Sequence, residues 1–225
     1  MIRAFETALQ MPQCGFFSPA AGCMGLNLYN RKEISMKHAH VKMLCEAAML
    51  IALAQILSYV KLFEFPNGGS VDCAMLPIIL FAIRYGWGWG TGVGLVYGTL
   101  QYFLANGISI DWTTIICDYF VAFALLGLGA GLFCGKKGGV YFGTLVGGFL
   151  RFMAHFVVGA LVWGKYMPDK FFGMTMTNKW FYSFLYNISY MLLDVSICLL
   201  LFLLLSRSRV MRKYFTRADL RSTAC

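Results

Sequence analysis

Asp118, Arg151, His155 and Asp194 all sit inside runs of apolar sequence long enough to cross a bilayer. Ionisable groups are rare at membrane depth and cost several kcal/mol when left unpaired, so they mark a functional site by default. Their depths follow from a helical rise of about 1.5 Å per residue. Entering from outside near Asp111, a helix places Asp118 roughly 10 Å down. Measured back from Tyr166, Trp163 lies about 5 Å and His155 about 16 Å deep. Measured from Lys179, Tyr182 lies about 5 Å and Asn187 about 12 Å deep. A carboxylate, an imidazole, an amide and the rings of Tyr119, Trp163, Tyr182 and Tyr186 therefore converge on the outer half of the membrane. A carboxylate among aromatic faces suits a flat cation, through ion pairing and cation–π attraction. The amide can read the edge of a heterocycle. Arg151 and Asp194 share a deeper level, each about 22 Å from the outer rim, which predicts that they pair as a floor beneath the cluster. Each residue also has a packing reading: Asp118, His155 and Asn187 as interhelical glue, Trp163 and Tyr182 as interfacial anchors. Convergence on one level favours a pocket.

The elements that must hold these groups are membrane helices. The 225 residues are 59% hydrophobic and only 13% charged, about half the charged fraction of a soluble domain. Mean hydropathy is +0.66. Apolar runs predict spans at about 42–62, 72–85, 88–106, 112–134, 139–166 and 179–206. The second follows the turn-rich FPNGGSVD and is short for a bilayer. The fold class expected is an all-α integral membrane protein of six transmembrane helices. Lys and Arg set its orientation. Arg3, Arg31, Lys32, Lys37, Lys42, Arg84, Lys136, Lys137 and the six after span 6, from Arg207 to Arg221, fall on one side. Lys61, Lys165, Lys170 and Lys179 fall on the other. The positive-inside rule puts both termini in the cytoplasm. Residues 1–40 lack a membrane pattern and a signal-peptide core, and are expected to be a weakly ordered cytoplasmic extension. Residues 41–206 form the transmembrane substrate-binding domain, and 207–225 a basic cytoplasmic tail.

Several function classes drop out. The net charge of +9 is spread between and beyond the spans, not gathered into a basic–aromatic module for nucleic acid. The eight cysteines form no CxxC pair, and neither a disulfide framework nor a metal site is expected. No HExxH motif is present, Ser183 in FYSFL lacks the glycines of a nucleophile motif, and no second acid lies close to Asp118 in sequence. An enzyme is not expected, nor is a cofactor. No P-loop exists, so any coupling to ATP must come from partners.

VDCAMLPIILFAIRYG (71–86), CDYFVAFALLGLGAGLF (117–133), RFMAHFVVGALVW (151–163) and YSFLYNISYML (182–192) together resemble the thiamine-specific substrate-binding (S) component of energy-coupling factor (ECF) transporters. The likeness covers about residues 40–206, with the four blocks in order. It implies a six-helix protein of the bacterial cell membrane that binds thiamine from outside. It also implies partners: a transmembrane coupling protein and two cytosolic ATPases, which topple the S component to expose its site inward. By the same resemblance, Asp118 and Tyr119 fall on the acidic–Tyr pair that contacts ligand, with Asp118 shorter than the Glu of some members. His155 and Trp163 fall on residues flanking the ligand rings, and Tyr182 and Asn187 on residues that hydrogen-bond it. Arg151 falls where a basic residue approaches the hydroxyethyl end, which competes with its pairing to Asp194; both readings stay open. Some members carry a lid Trp between spans 1 and 2 where this chain has about Gly68, with Phe63 or Phe65 as substitutes. Ala48 and Ala52, one helical turn apart, match a small-residue stripe that docks the coupling protein, although such a stripe also serves ordinary helix packing. The alternatives are an S component for another flat cationic vitamin and a cation transporter working alone.

Overall fold

The computed structural model describes the backbone of residues 19–65, 69–104, 109, 111–136 and 138–209, and side chains from residue 38 onward. Of the expected N-terminal extension, residues 1–18 lie outside the described residues, as does the expected basic tail from 210 on. Two compact units divide the chain, Met1–Glu46 and Ala47–Cys225. The first contributes the start of helix α1 (Pro19–Tyr59). The site described below lies in the second.

Four helices among the described residues are long and apolar enough to cross a membrane: His38–Tyr59, Trp112–Gly131, Gly139–Leu161 and Lys179–Ser206. Between the first two lies α2 (Met75–Leu104), where the sequence predicts two spans. Gly86 interrupts it with φ 86° and ψ 176°, a backbone conformation closed to residues with a Cβ. The chain doubles back there. A Cβ on Gly90 would lie 2.6 Å from the Ala82 Cβ, although eight residues of unbroken helix span about 12 Å. From Met75 to Ile83 the first leg is buried on every side, which is why eleven residues suffice for a leg enclosed by protein.

The second leg of α2 carries a glycine every fourth residue, Gly86, Gly90, Gly94 and Gly98. That spacing puts a bare stripe on one face. Along it runs the segment made of α3 (Trp112–Thr114), a π-helical stretch (Ile115–Val121) and α4 (Ala122–Gly131). A Cβ on Gly94 would run into the Phe123 carbonyl, and one on Gly98 into the Tyr119 carbonyl. Backbone thus meets backbone, the close approach small residues permit when lipid supplies no hydrophobic drive between helices. Helix α5 (Gly139–Leu161) packs on α4 in the same way, through Gly143 against the Ala130 carbonyl and Gly147 against the Leu126 carbonyl. Helix α6 (Lys179–Ser206) closes the core with Cys198 and Phe202, which join Met75, Ile79, Leu126 and Ala130. It begins where Asn178 caps it, Oδ1 accepting from the Trp180 N–H at 2.9 Å, as short polar residues do at helix starts.

Two small hairpins lie between helices. Strands β1 (Phe63–Glu64) and β2 (Ser70–Val71) pair antiparallel, as do β3 (Lys170–Phe171) and β4 (Met174–Thr175). Exposed aromatics mark two levels. Trp87 and Trp89 follow the Gly86 turn, beside the Gly131 end of α4. Trp112, Tyr166 and Trp180 stand at the opposite ends of their segments. Cys45, Cys73, Cys117 and Cys198 are free thiols.

Candidate functional site

Asp118 sits within the π-helical stretch, where the Ala122 N–H reaches back five residues to the Cys117 carbonyl. Such wide turns are rare and recur at functional sites. Here the wide turn lies directly over Gly98, whose missing side chain lets the Tyr119 carbonyl press against α2.

Two donors meet the Asp118 carboxylate from the chain of α5. His155 Nδ1 lies 2.9 Å from Oδ1, and Trp163 Nε1 donates to Oδ2 at 3.3 Å. The two residues are eight positions apart, about 12 Å along a continuous helix. They share one carboxylate because α5 ends at Leu161 and tightens into a 3₁₀ turn, Trp163–Tyr166. With Nδ1 donating to a carboxylate, a neutral ring presents Nε2 as an acceptor. That Nε2 is buried and has no hydrogen-bond partner. Asp118 and His155 are largely buried, their side chains 15% and 13% exposed. Asp118 thus faces protein, with both carboxylate oxygens engaged.

Helix α6 forms the second wall. Asn187 is buried, and its amide nitrogen lies 2.8 Å from the Ser183 carbonyl and 3.4 Å from the His155 carbonyl. Its Oδ1 accepts from the Tyr190 hydroxyl at 2.8 Å. The Tyr190 ring in turn stands 6.4 Å from the His155 ring. Gly159 permits this approach, because a Cβ there would collide with Ser183 Oγ and crowd Asn187 Nδ2. Tyr182 is buried one turn further out, its ring 5.9 Å from Tyr186 and 5.5 Å from Phe171 of β3. Phe65, beside β1, reaches Tyr186 and Tyr190 at 6.2 and 6.3 Å. The Gly69 N–H donates to the Tyr186 hydroxyl at 3.0 Å. Of the two expected lid substitutes, Phe65 lies against the α6 aromatics, while Phe63 is exposed and packs on Phe65. The Gly68 position falls outside the described residues.

Tyr119 lies with its ring 5.4 Å from Tyr102 on α2. Arg151, one turn from His155 on α5, is buried at 9% exposure with its guanidinium 4.5 Å from the Phe123 ring centroid. Its Nη1 lies 3.8 Å from Asp194 Oδ2, close enough for an ion pair and too long for a hydrogen bond. The other Asp194 oxygen accepts the Asp72 N–H at 3.0 Å. The site therefore has two tiers, an upper one around Asp118 and a lower one around Arg151 and Asp194. Ala48 and Ala52 are exposed on α1, whose Ile51 and Ala54 face the core.

Sequence reasoning missed Tyr190, Asp72 and Phe171. Tyr190 lies on the same α6 face as Tyr182, Tyr186 and Asn187, so helical spacing could have found it. Asp72 acts through its backbone N–H, which leaves no mark on residue type. Phe171 sits on a strand of two residues.

The family model described as thiamine transporter protein matches residues 44–213. The chain is 33% identical over 177 residues to the thiamine transporter ThiT of Bacillus subtilis (strain 168), covering 72% of this chain and 88% of that one. It is 26% identical over 166 residues to the ThiT of Lacticaseibacillus paracasei, covering 67% and 80%. Among solved structures, ThiT from Listeria monocytogenes shares the fold with a TM-score of 0.66 at 21% identity, over 79% of this chain and 98% of that one.

Proposed function

Given that this chain belongs to the thiamine transporter protein family, we propose that it is a bacterial multi-pass membrane protein that captures thiamine at the two-tier site. The observation that carries this reading is the largely buried Asp118 carboxylate, held between His155 and Trp163.

Thiamine suits such a carboxylate. Its thiazolium is permanently cationic, so the ion pair forms without proton exchange. A charge-assisted bond contributes about 1.5–3 kcal/mol, and a desolvated cation over an aromatic face about 2 kcal/mol more. Trp163, Tyr182 and Tyr119 provide the faces. The orphaned His155 Nε2 would accept from the exocyclic amine of the aminopyrimidine, and Asn187 would read the edge of that ring. Arg151 faces the remaining polar end. Phe65 and Phe171, one from each hairpin, cover the outer mouth in place of a lid tryptophan.

Transport by this chain is proposed to follow the ECF scheme. The four long helices and the two legs of α2 would make six crossings. With an even number, both termini lie in the cytoplasm, the side favoured by the Lys and Arg distribution. Residues 41–206 would be the substrate-binding domain, flanked by a cytoplasmic extension and a basic tail. A transmembrane coupling protein would dock at the exposed Ala48–Ala52 face, and two cytosolic ATPases would drive the toppling that delivers thiamine inward. Titration of the purified protein tests the binding step. Thiamine should quench Trp163 fluorescence at submicromolar concentration and riboflavin should not. Asp118→Asn should raise the Kd for thiamine at least tenfold, on the scale of one charge-assisted bond. An unchanged Kd would remove Asp118 from the site.

A further inference from the structure

Strand β2 is fastened to α6 at both ends, each time by a side chain that accepts a backbone N–H. The Asp72 N–H donates to Asp194 Oδ1 at 3.0 Å. The Gly69 N–H donates to the Tyr186 hydroxyl at 3.0 Å. Tyr186 and Asp194 are eight residues apart, about 12 Å along a helix. Between the two fastenings Val71 is buried in a cluster with Tyr190 and Met191. The hairpin therefore lies along α6 and does not merely touch it.

The two fastenings are unequal. Asp194 and Asp72 are 0% and 6% exposed, and a hydrogen bond to a carboxylate is roughly twice as strong as one between neutral groups. Tyr186 is half-buried, and its bond to Gly69 is neutral. The weaker fastening is the one beside Phe65. The Phe65 N–H donates to the Gly69 carbonyl at 2.6 Å, and the Phe65 ring stands 6.2 Å from Tyr186 and 6.3 Å from Tyr190. Glycine is required at position 69, because a Cβ there would lie 2.8 Å from the Tyr186 hydroxyl and 3.0 Å from the Tyr190 ring. The Tyr186 ring also stands 5.9 Å from Phe171 of the second hairpin. Both aromatic covers thus meet on one residue.

We infer that Tyr186 is a positioning residue for uptake: its hydroxyl, acting through the Gly69 N–H, keeps Phe65 over the site and so sets how fast ligand enters and leaves. The inference rests on the thiamine reading above. Both partners of the bond belong to the chain, so the bond resists passage in either direction. Losing a group that touches the ligand has a different signature, because such losses act mainly on koff.

The test is stopped-flow fluorescence of the purified full chain with thiamine, which yields kon and koff. Tyr186→Phe keeps the ring and removes the hydroxyl. Both rates should rise about three- to tenfold, the scale of one neutral hydrogen bond. Gly69→Ala leaves every aromatic in place, forces the strand off the hydroxyl, and should also raise both rates. The double variant should match the larger single effect, because both changes break the same bond. A rise in koff alone makes Tyr186 a ligand contact and overturns the inference, as do unchanged rates or single effects that multiply. If Tyr186→Phe does not fold, Gly69→Ala decides alone. Amide hydrogen exchange gives a readout that needs no ligand. In Tyr186→Phe the Gly69 amide should exchange faster while the Asp72 amide, held by Asp194, keeps its wild-type protection; undiminished protection at Gly69 overturns the inference. Wild-type protein that binds no thiamine would instead defeat the functional reading itself, with amide exchange still judging the fastening.

Discussion

Asp118 shows how much a single side chain reveals about a membrane protein. A carboxylate roughly two turns inside an apolar run has to be answered by something, and the answer is two donors, His155 and Trp163, on one neighbouring segment. Counting depth along each predicted helix placed these three in the outer half of the membrane, and the tightened turn after α5 is what brings His155 and Trp163 to one carboxylate. Counting also matched Arg151 with Asp194, which stand 3.8 Å apart. The pairing is measurable: in a double-mutant cycle with Arg151→Met and Asp194→Leu, the double variant should be less destabilised than the sum of the singles by about 0.5–3 kcal/mol. Additive losses would mean that the two do not interact. Tyr190 was not legible in this way, because its role depends on which partner its hydroxyl meets. That hydroxyl satisfies Asn187 Oδ1, so Tyr190→Phe would leave a buried acceptor bare. Loss of about 1–3 kcal/mol of stability is expected in thermal unfolding, with weaker thiamine binding alongside it.

At the scale of elements, hydropathy placed four spans within about five residues of the helices observed, since length and apolar content are what a bilayer demands of a helix, while the second and third predicted spans fall on the two legs of one helix broken at Gly86. Hydropathy is blind to the features that shape the site. A π-helical turn has the composition of any apolar helix, and hairpins with strands of two residues carry no alternation to read. The fourfold glycine spacing on α2 was visible as a pattern, but the partner it meets was not. Its function yields a contrast within one helix. Gly94 faces the Phe123 backbone, whereas nothing lies within 4 Å of a Cβ on Gly92. Gly94→Ala should therefore cost about 1–3 kcal/mol by overpacking, and Gly92→Ala should be neutral or better. Detergent melting curves of the two variants make the comparison. Equal effects would mean that helix propensity, not backbone contact, explains the spacing.

For the molecule as a whole, binding and transport are proposed to be separable. The two-tier site lies among α4, α5 and α6 and the stretch before α4, while Ala48 and Ala52 are exposed on α1. Ala48→Trp should leave the thiamine Kd unchanged and abolish uptake in cells, because it blocks only the face proposed for the coupling protein. Lost binding would place that stripe inside the fold. The two levels of exposed aromatics bear on uptake as well. Trp87 and Trp89 near one end and Trp112, Tyr166 and Trp180 near the other prefer the headgroup zones, so the protein carries a gauge of the membrane thickness it fits. In vesicles of much shorter acyl chains those zones move together, and the protein can meet both only by leaning or by dimpling the lipid around it. Under the proposed toppling scheme, choice of lipid then becomes a determinant of turnover, while affinity in detergent would give no hint of it.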